Sequence, residues 1–166
     1  LTGTSGAEYF YGQQGNDSYE GLGGADTFVM PATTVASQQN TVKDFGLKQA
    51  TSGARQGSAE ADALDLRSLL VGYTSASLPE QFLRFTTDTN GKLVMSIDKN
   101  GSNGTTDPFS ASSSVVFDNI HLVTGTATGA LEVSTTIGAS TYNTTTYTTA
   151  NILARLIEDQ QLILPV

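Results

Sequence analysis

Large apolar residues recur at every ninth position in the first thirty residues. This apolar column contains Leu1, Phe10, Tyr19 and Phe28, and polar or glycine-rich stretches separate its members. Three more columns keep the same period: one is Gly3, Gly12 and Gly21, one is Gly6, Gly15 and Gly24, and one is acidic, with Glu8, Asp17 and Asp26. Four columns in register over three copies predict a repeat architecture in which each unit stacks on its neighbour.

The spacing predicts a flattened solenoid with two nonapeptides in each coil. Each repeat supplies a turn and a very short strand whose large side chain points inward. Glycine permits positive φ in the turn and lets carbonyl oxygens approach one another. Residues 18 apart then share an edge, so Glu8 stacks on Asp26 at about one strand spacing (~4.8 Å). A cation between these carboxylates would relieve their repulsion, and with turn carbonyls they can supply the ~6–8 oxygens that Ca²⁺ takes.

The period of the pattern changes along the rest of the chain. Alternating residues over 82–97, with the turn Asp88–Gly91 between them, predict a β-hairpin. Residues 114–122 predict another strand with an apolar face. From Thr149 the apolar positions follow a helical period, and the tail 162–166 is apolar and uncharged. The chain is therefore predicted to be mainly β, with one or two short helices.

The nonapeptides resemble the GGxGxDxUx repeats of RTX proteins, whose parallel β-roll binds Ca²⁺ between successive turns. The match is degenerate, because Thr4, Gln13 and Leu22 stand at the second glycine position. The resemblance implies a short calcium-binding roll over residues 1–45, whose repeats are expected to begin upstream of Leu1. A compact β-sandwich-like domain with one or two short helices is expected over 46–166. The resemblance also implies calcium ligands from acidic side chains and turn residues, namely Gly3, Ser5, Glu8, Gly12, Gln14, Asp17, Leu22, Gly24, Asp26 and Asp44.

Motifs beyond the repeats resemble the C-terminal region of very large RTX adhesins of Gram-negative bacteria. They are Asp44-Phe45, the D-x-x-D-L run at 62–66, and the strand pattern of 82–122. The resemblance implies a secreted, cell-surface module of cell adhesion and biofilm formation that folds on extracellular calcium. It further implies a type I secretion signal in about 149–166. The expected partners are the ABC transporter, adaptor and outer-membrane channel of that secretion system, together with upstream domains of the same adhesin.

Several local features admit two interpretations. Asp62 and Asp65 are candidates for local calcium ligands, and Asp65 is equally a candidate N-cap for a short helix over 66–70. The loop that begins at Asp98-Lys-Asn-Gly101 is better interpreted as an Asx-rich turn than as a calcium loop, because Phe109 stands where the twelfth-position Glu is needed. The Thr-rich stretch 124–148 is either an added hairpin or a mobile segment. Residues 48–61 are expected to form an exposed loop.

Composition and charge narrow the function classes. The formal net charge is −8, the eight Lys and Arg are scattered, and cysteine is absent. We therefore expect neither a nucleic-acid nor an anionic-lipid partner, and disulfides and thiolate chemistry are excluded. No apolar run approaches the ~20 residues of a transmembrane helix.

The same survey gives no catalytic set. The single histidine, His121, lies in an apolar strand pattern, and no serine has a G-x-S-x-G context. We therefore expect a non-enzymatic chain. Two alternatives stay open: the chain is the C-terminal module of a secreted hydrolase, such as a protease or lipase, or the Thr-rich stretch binds a sugar or ice.

Overall fold

The computed structural model describes residues 1–32, 37–48, 61–102, 106–122, 130–135 and 140–165, and these form a mainly-β fold with two sheets and a single short α-helix. The predicted fold class is confirmed. The strands are β1 (Tyr9–Tyr11), β2 (Ser18–Tyr19), β3 (Thr27–Val29), β4 (Gln38–Val42), β5 (Ala63–Asp65), β6 (Leu83–Thr87), β7 (Lys92–Ile97), β8 (Ser113–Leu122), β9 (Ala130–Thr135), β10 (Ser140–Thr148) and β11 (Leu162–Ile163), and the helix is α1 (Ile152–Glu158).

The first coil closes after 18 residues. Strands β1 and β3 pair in parallel, with Tyr9 opposite Thr27 and Phe10 opposite Phe28. On the other side of the coil, Thr2 forms a parallel bridge with Glu20. The prediction that residues 18 apart stack on one another is therefore confirmed.

Later parts of the chain extend this coil without repeating its sequence. The first sheet has the order β1-β3-β5-β11, and every neighbouring pair is parallel. The register aligns one inward column of buried residues, which contains Phe10, Phe28, Leu64 and Leu162. The C-terminal tail thus supplies the last strand of a sheet that the N-terminal repeats begin.

The second sheet continues the opposite face of the roll. Its order is β10-β9-β8-β4-β2, with β7 paired to β8 and β6 paired to β7. Parallel register places Tyr19 beside Val42 and Val42 beside Phe117. The ring centroids of Phe28 and Phe45 are 6.3 Å apart, and those of Phe45 and Phe117 are 5.1 Å apart. One aromatic core therefore joins the two sheets.

The predicted hairpin and the predicted C-terminal helix are both present. Strands β6 and β7 pair around the turn, where Asp88 accepts the amides of Asn90 and Lys92 at 2.8 and 2.9 Å. Helix α1 buries Ile152 and Leu156 and starts three residues after Thr149. Its length excludes a membrane span, and no other described residues form a helix that could cross a bilayer.

The structure also decides between two alternatives. Strands β9 and β10 pair antiparallel, so the described part of the Thr-rich stretch forms the added hairpin. Residues 66–70 form one turn rather than a helix, since the amides of Leu69 and Leu70 both donate to the Leu66 carbonyl at 3.0 and 3.1 Å. Most of the loop predicted over 48–61 lies outside the described residues.

Both sheets combine strands from residues 1–45 with strands from residues 46–166, which lie side by side in the same sheet. The division into a roll and a following domain stays a prediction. What matters for the site is that residues far apart in the chain meet at the edges of the roll.

Candidate metal centre

Acidic and amide side chains stack along both edges of the roll. On one edge the strand register stacks Glu8 on Asp26 and Asp26 on Asp62. On the opposite edge it carries Asp17 over Asn40. Each acidic residue directly precedes a short strand, and Asn40 lies within β4, so the sheet register itself sets the spacing of the stack.

Hydrogen bonds connect the members of the first stack. Asp26 accepts the amide of Glu8 at 2.9 Å, and Asp62 accepts the amide of Asp26 at 2.8 Å. The other oxygen of Asp62 accepts the amide of Gly46 at 2.7 Å. Asp26 and Asp62 are 2 % and 4 % exposed. Each buried carboxylate therefore ties one loop of the roll to the next.

Asp44 holds the adjoining loop. Its two oxygens accept the amides of Gly21 and Leu22 at 2.9 and 2.7 Å. The buried side chain of Asn119 binds both backbone groups of the next residue, Phe45. Its oxygen accepts the Phe45 backbone amide at 3.1 Å, and its nitrogen donates to the Phe45 carbonyl at 3.0 Å. Strand β8 thereby fixes the position of the predicted Asp44 ligand.

Glu8 is the outermost member of the first stack. Its carboxylate accepts the hydroxyl of Thr4 and, at 3.0 Å, the amide of Thr4. The Thr4 hydroxyl bond, followed by the amide bond, lowers the pKa of Glu8. Glu8 is therefore charged at neutral pH and already oriented over its own turn.

The second edge contains a buried carboxylate oxygen without a hydrogen-bond partner. The Asp17 amide donates to the Asn40 side chain at 2.9 Å, whereas Asp17 Oδ2 is buried and unsatisfied. Burial, and then the charge of Asp17, raise the pKa of the neighbouring Tyr19 to about 12. A buried oxygen of this kind is costly unless a donor or a cation approaches it.

The first glycine column provides the space for these carboxylates. A Cβ added to Gly3, Gly12 or Gly21 would overlap the carboxylate of Glu8, Asp17 or Asp26, respectively. Gly24 has φ +102°, and a Cβ there would lie 2.5 Å from the Gly6 carbonyl oxygen. The turns therefore approach one another as the nonapeptide spacing predicts, with acidic groups folded over them.

Asp62 carries the strongest electrostatic signal of the site. Burial is the main reason why its pKa rises to about 8, and the negative charges of Asp26 and Asp44 raise it further, against the opposing effect of the two amide bonds. Within the described residues, no ion pair involves Asp62. At this edge the folded chain favours a proton or a cation beside Asp62 over an isolated carboxylate.

The predicted ligands fall into two groups. The structure brings Glu8, Asp26 and Asp44 to one edge, while Asp17 belongs to the opposite edge. The predicted turn residues accompany these two groups: Gly3, Ser5, Leu22 and Gly24 are in the turns of the first edge, and Gly12 and Gln14 are in the turn of the second. Ser5, Gln14 and Leu22 have exposed side chains, so any role as ligands falls to their carbonyls.

The donor chemistry of the first edge fits a hard divalent cation. All the donors are oxygens, and a glycine without a Cβ lies beneath the carboxylates of Glu8 and Asp26. The described residues contain no group of three or more His, Cys, Asp or Glu side chains arranged around one point. A cation here would therefore need backbone carbonyls of the turns in addition to carboxylates.

Two residues that the sequence analysis did not single out join these stacks: Asn40 is a member of the second stack, and Gln161 donates to the Asp62 carbonyl beside the first. Asp62, a candidate local ligand in the sequence, is a member of the first stack. Each of the three lies within an acid-or-amide pattern followed closely by an inward apolar residue, as in Asp62-Ala-Leu64 and Asn40-Thr-Val42. The repeats have the same triplet in Asp26-Thr-Phe28. A search for this triplet, rather than for the whole nonapeptide, would have found Asp62 and Asn40. Gln161 does not fit it, because the buried Leu162 follows Gln161 directly.

Two other acidic residues have local structural partners. Asp65 pairs with the Arg67 guanidinium at 2.6 Å and caps the Arg67 amide at 3.0 Å, and the Arg67 side chain is the main reason why the pKa of Asp65 is lowered. Asp98 accepts the amides of Asn100 and Ser110 at 3.2 and 2.9 Å. The latter contacts agree with the Asx-turn interpretation of that loop.

The fold and the site together define a mainly-β protein in which a parallel roll carries stacked acidic residues along its edges. Neither a protein-family model nor a curated protein sequence matches the chain. Among solved structures, the chain is similar to the crystal structure of the C-terminal domain (RV) of MpAFP. That similarity has a TM-score of 0.41 and 20% sequence identity, and it covers 86% of this chain and 95% of that chain.

Proposed function

We propose that this chain is a calcium-binding structural module from the C-terminal end of a type I-secreted RTX adhesin. The observation that carries the proposal is the buried stack of Asp26 and Asp62 between parallel loops of the roll. The adhesin assignment rests on the sequence resemblance, and the cation assignment rests on the geometry of the stack.

A bound divalent cation would supply positive charge and oxygen coordination between the loops. The residues placed to hold it on the first edge are Glu8, Asp26, Asp44 and Asp62, together with turn carbonyls. Asp17 has the corresponding place on the second edge, where its buried oxygen lacks a hydrogen bond. Calcium suits this set better than magnesium, because carbonyl-rich loops rarely provide the strict octahedron that Mg²⁺ demands.

Cation binding to this site is linked to folding. Asp26 and Asp62 are 36 residues apart and meet only when β3 and β5 are paired. The unfolded chain therefore lacks the site, and binding energy adds to folding energy. A chain of this kind stays unfolded where calcium is scarce and folds where calcium is abundant, as export followed by extracellular assembly requires.

Export and adhesion complete the proposal. The residues 149–166 contain the apolar helix and tail that the resemblance assigns to the type I secretion signal. We assign no catalytic role to the chain. Its role is to fold outside the cell and to carry the segment that the transporter recognises.

Thermal unfolding in calcium, in magnesium and in excess EDTA tests the cation assignment. Saturation with calcium is expected to raise the midpoint by several degrees, because the ion binds only the folded state. The double variant Asp26→Asn/Asp62→Asn should lose most of that rise. Asp107→Asn is the matched control, since it removes one exposed acidic charge outside the roll.

A wild-type midpoint that is the same in calcium and in EDTA would overturn the cation assignment. An equal calcium response in the double variant and in Asp107→Asn would remove Asp26 and Asp62 from the site. A rise of the same size with magnesium would argue for general charge screening rather than for a calcium site.

A further inference from the structure

We propose that Gln161 is a latch residue that couples docking of the C-terminal segment 152–164 to the state of the acidic stack, which consists of Glu8, Asp26 and Asp62. The segment is docked when the stack binds a cation and released when it does not. This inference deepens the proposed function and rests on it. The observations that carry it are the contacts of one buried amide side chain and the pairing of β11.

The side chain of Gln161 is 2 % exposed and binds two loops at once. Its Nε2 donates to the carbonyls of Gly46 and Asp62 at 2.6 and 2.8 Å. Its Oε1 accepts the amide of Lys48 at 2.9 Å. Gln161 thus joins residues 46–48 to Asp62, and both lie more than 90 residues before Gln161 in the chain.

The backbone of the same segment completes the first sheet. The amide of Leu64 donates to the Gln161 carbonyl at 2.8 Å, and the amide of Leu66 donates to the Ile163 carbonyl at 2.9 Å. Leu162 is buried at the end of the inward apolar column. A two-residue strand is too short to persist alone, so its docking depends on these bonds and on the Gln161 side chain.

The coupling follows from the atoms that Gln161 and the acidic stack share. Gly46 donates its amide to the Asp62 carboxylate and accepts Gln161 through its carbonyl. Asp62 accepts Asp26 through its carboxylate and Gln161 through its backbone carbonyl. Any change that separates Gly46 from Asp62 therefore breaks at least one of the two bonds of Gln161 Nε2, and conversely docked Gln161 holds the two carbonyls together.

The consequence concerns the availability of the C-terminal segment. In the docked state Leu162 is buried, and Ile152 and Leu156 of α1 are buried with it. An export machinery that recognises apolar side chains of this segment therefore meets them only before the roll has folded. Cation binding at the acidic stack keeps the segment docked, so recognition by the export machinery and the folded state are mutually exclusive.

Residue-resolved amide hydrogen exchange of the full chain, measured by NMR in calcium and in EDTA, tests the coupling. Strand β5 provides two adjacent reporters: the Ala63 amide donates to Asp26 and reports the acidic stack, whereas the Leu64 amide donates to Gln161 and reports the docked tail. Calcium should slow exchange at both amides, and at Leu66, by about tenfold or more, with the same calcium dependence.

A pair of variants isolates the latch. Gln161→Glu replaces the Nε2 donor with an oxygen that faces the carbonyls of Gly46 and Asp62. In calcium, the variant should speed exchange at Leu64 and Leu66 by about tenfold or more, because one to two hydrogen bonds are lost. Exchange at Thr27 in the repeats should keep its response to calcium. Gln160→Glu introduces the same charge at the adjacent exposed position and should behave like the wild type.

Each alternative outcome is decisive. If calcium protects Thr27 and Ala63 but leaves Leu64 and Leu66 unchanged, the latch is wrong and the proposed function stands. If no amide responds to calcium, the proposed function fails and the latch fails with it. If Gln161→Glu and Gln160→Glu have the same exchange rates at Leu64, Gln161 does not hold the segment.

Discussion

At the scale of single residues, the roll is held together by carboxylates that accept backbone amides from the neighbouring coil. Asp62 is the innermost of them, and it combines near-complete burial with two amide bonds and two negative neighbours. The amides stabilise its charge only partly, and burial prevails. The stability of the metal-free protein must therefore depend on the ionisation of this one group.

The first prediction concerns pH. The pKa of Asp62 is raised to about 8 in the folded state, above its ordinary value of 3.8. Its contribution to stability is complete below about pH 4 and is lost as the pH rises to 8, because over that range the folded state still holds a proton that the unfolded state has released. In EDTA, the wild type should lose on the order of 2–4 kcal/mol between about pH 5 and pH 8 from this group.

Asp62→Asn provides the comparison for that prediction. The variant leaves one backbone amide without its acceptor, which costs about 1–3 kcal/mol at every pH. It should nevertheless show a flatter decline of unfolding free energy between pH 5 and pH 8, measured by urea denaturation in EDTA. Parallel pH profiles for the two proteins would show that Asp62 is not the titrating group.

The second prediction concerns the degenerate repeat positions. Leu22 has φ +70°, in the left-handed region that disfavours side chains, whereas Thr4 at the equivalent position of the first repeat has no positive φ. Leu22→Gly should therefore stabilise the protein by about 1 kcal/mol. This is the net effect, because the backbone strain that is relieved exceeds the cost of the greater conformational entropy that glycine gives the unfolded chain. Thr4→Gly, the matched control, should destabilise it, because the hydroxyl that binds Glu8 is lost. Stabilisation by both substitutions in urea denaturation would contradict this account.

The sequence predicts individual members of the stacks only where the period holds. Glu8, Asp17 and Asp26 are recognisable because glycine and apolar columns run in phase with them. Asn40 comes 23 residues after Asp17 and is out of phase, whereas Asp62 comes 36 residues after Asp26, which is two periods of 18, although β3 and β5 are adjacent strands. Insertions change the length of the chain between rungs while the strand register keeps the rungs aligned, and only the structure shows that alignment.

At the scale of elements, the first sheet is assembled from three distant parts of the chain. Strands β1 and β3 come from the repeats, β5 follows a long connection, and β11 comes from the C-terminal tail. The tail has no glycine-rich turn and no acidic residue in phase, so the nonapeptide pattern could not assign it to the roll. A short apolar run after a helix has several possible partners, and parallel pairing with β5 is set by tertiary contacts.

The third prediction tests the contribution of β11. Leu162 is 5 % exposed and continues the column of Phe10, Phe28 and Leu64. Leu162→Ala should lower the free energy of unfolding by about 2–4 kcal/mol, since the cavity lies at the end of the core and its walls can relax in part. Ile163→Ala, on the other face of the same strand and only half-buried, should cost less than about 1.5 kcal/mol.

Urea denaturation of both variants in saturating calcium gives the measurement. Equal losses for Leu162→Ala and Ile163→Ala would mean that the strand is held by its backbone bonds alone. In that case the inward column would end at Leu64, and the buried position of Leu162 would contribute nothing specific to stability.

At the scale of the whole molecule, negative charge is concentrated in the roll. Residues 1–45 contain five acidic residues and one lysine, so they carry half of the chain's net charge of −8. Several of these groups lie on the stacked edge, where they repel one another across neighbouring coils. The folded state therefore brings negative charges closer together than the unfolded chain does. The composition of residues 1–45 already predicts this concentration of negative charge.

The fourth prediction follows from this concentration of negative charge. In EDTA, raising KCl from about 0.02 M to about 0.5 M shortens the screening length severalfold and should raise the thermal midpoint by several degrees. In saturating calcium the same increase in KCl should raise the midpoint by less than about half as much, because bound cations have already neutralised the stacked carboxylates. Magnesium at the same ionic strength is the control and should resemble EDTA. Identical salt dependence in calcium and in EDTA would show that the repulsion between coils is not relieved by a bound ion.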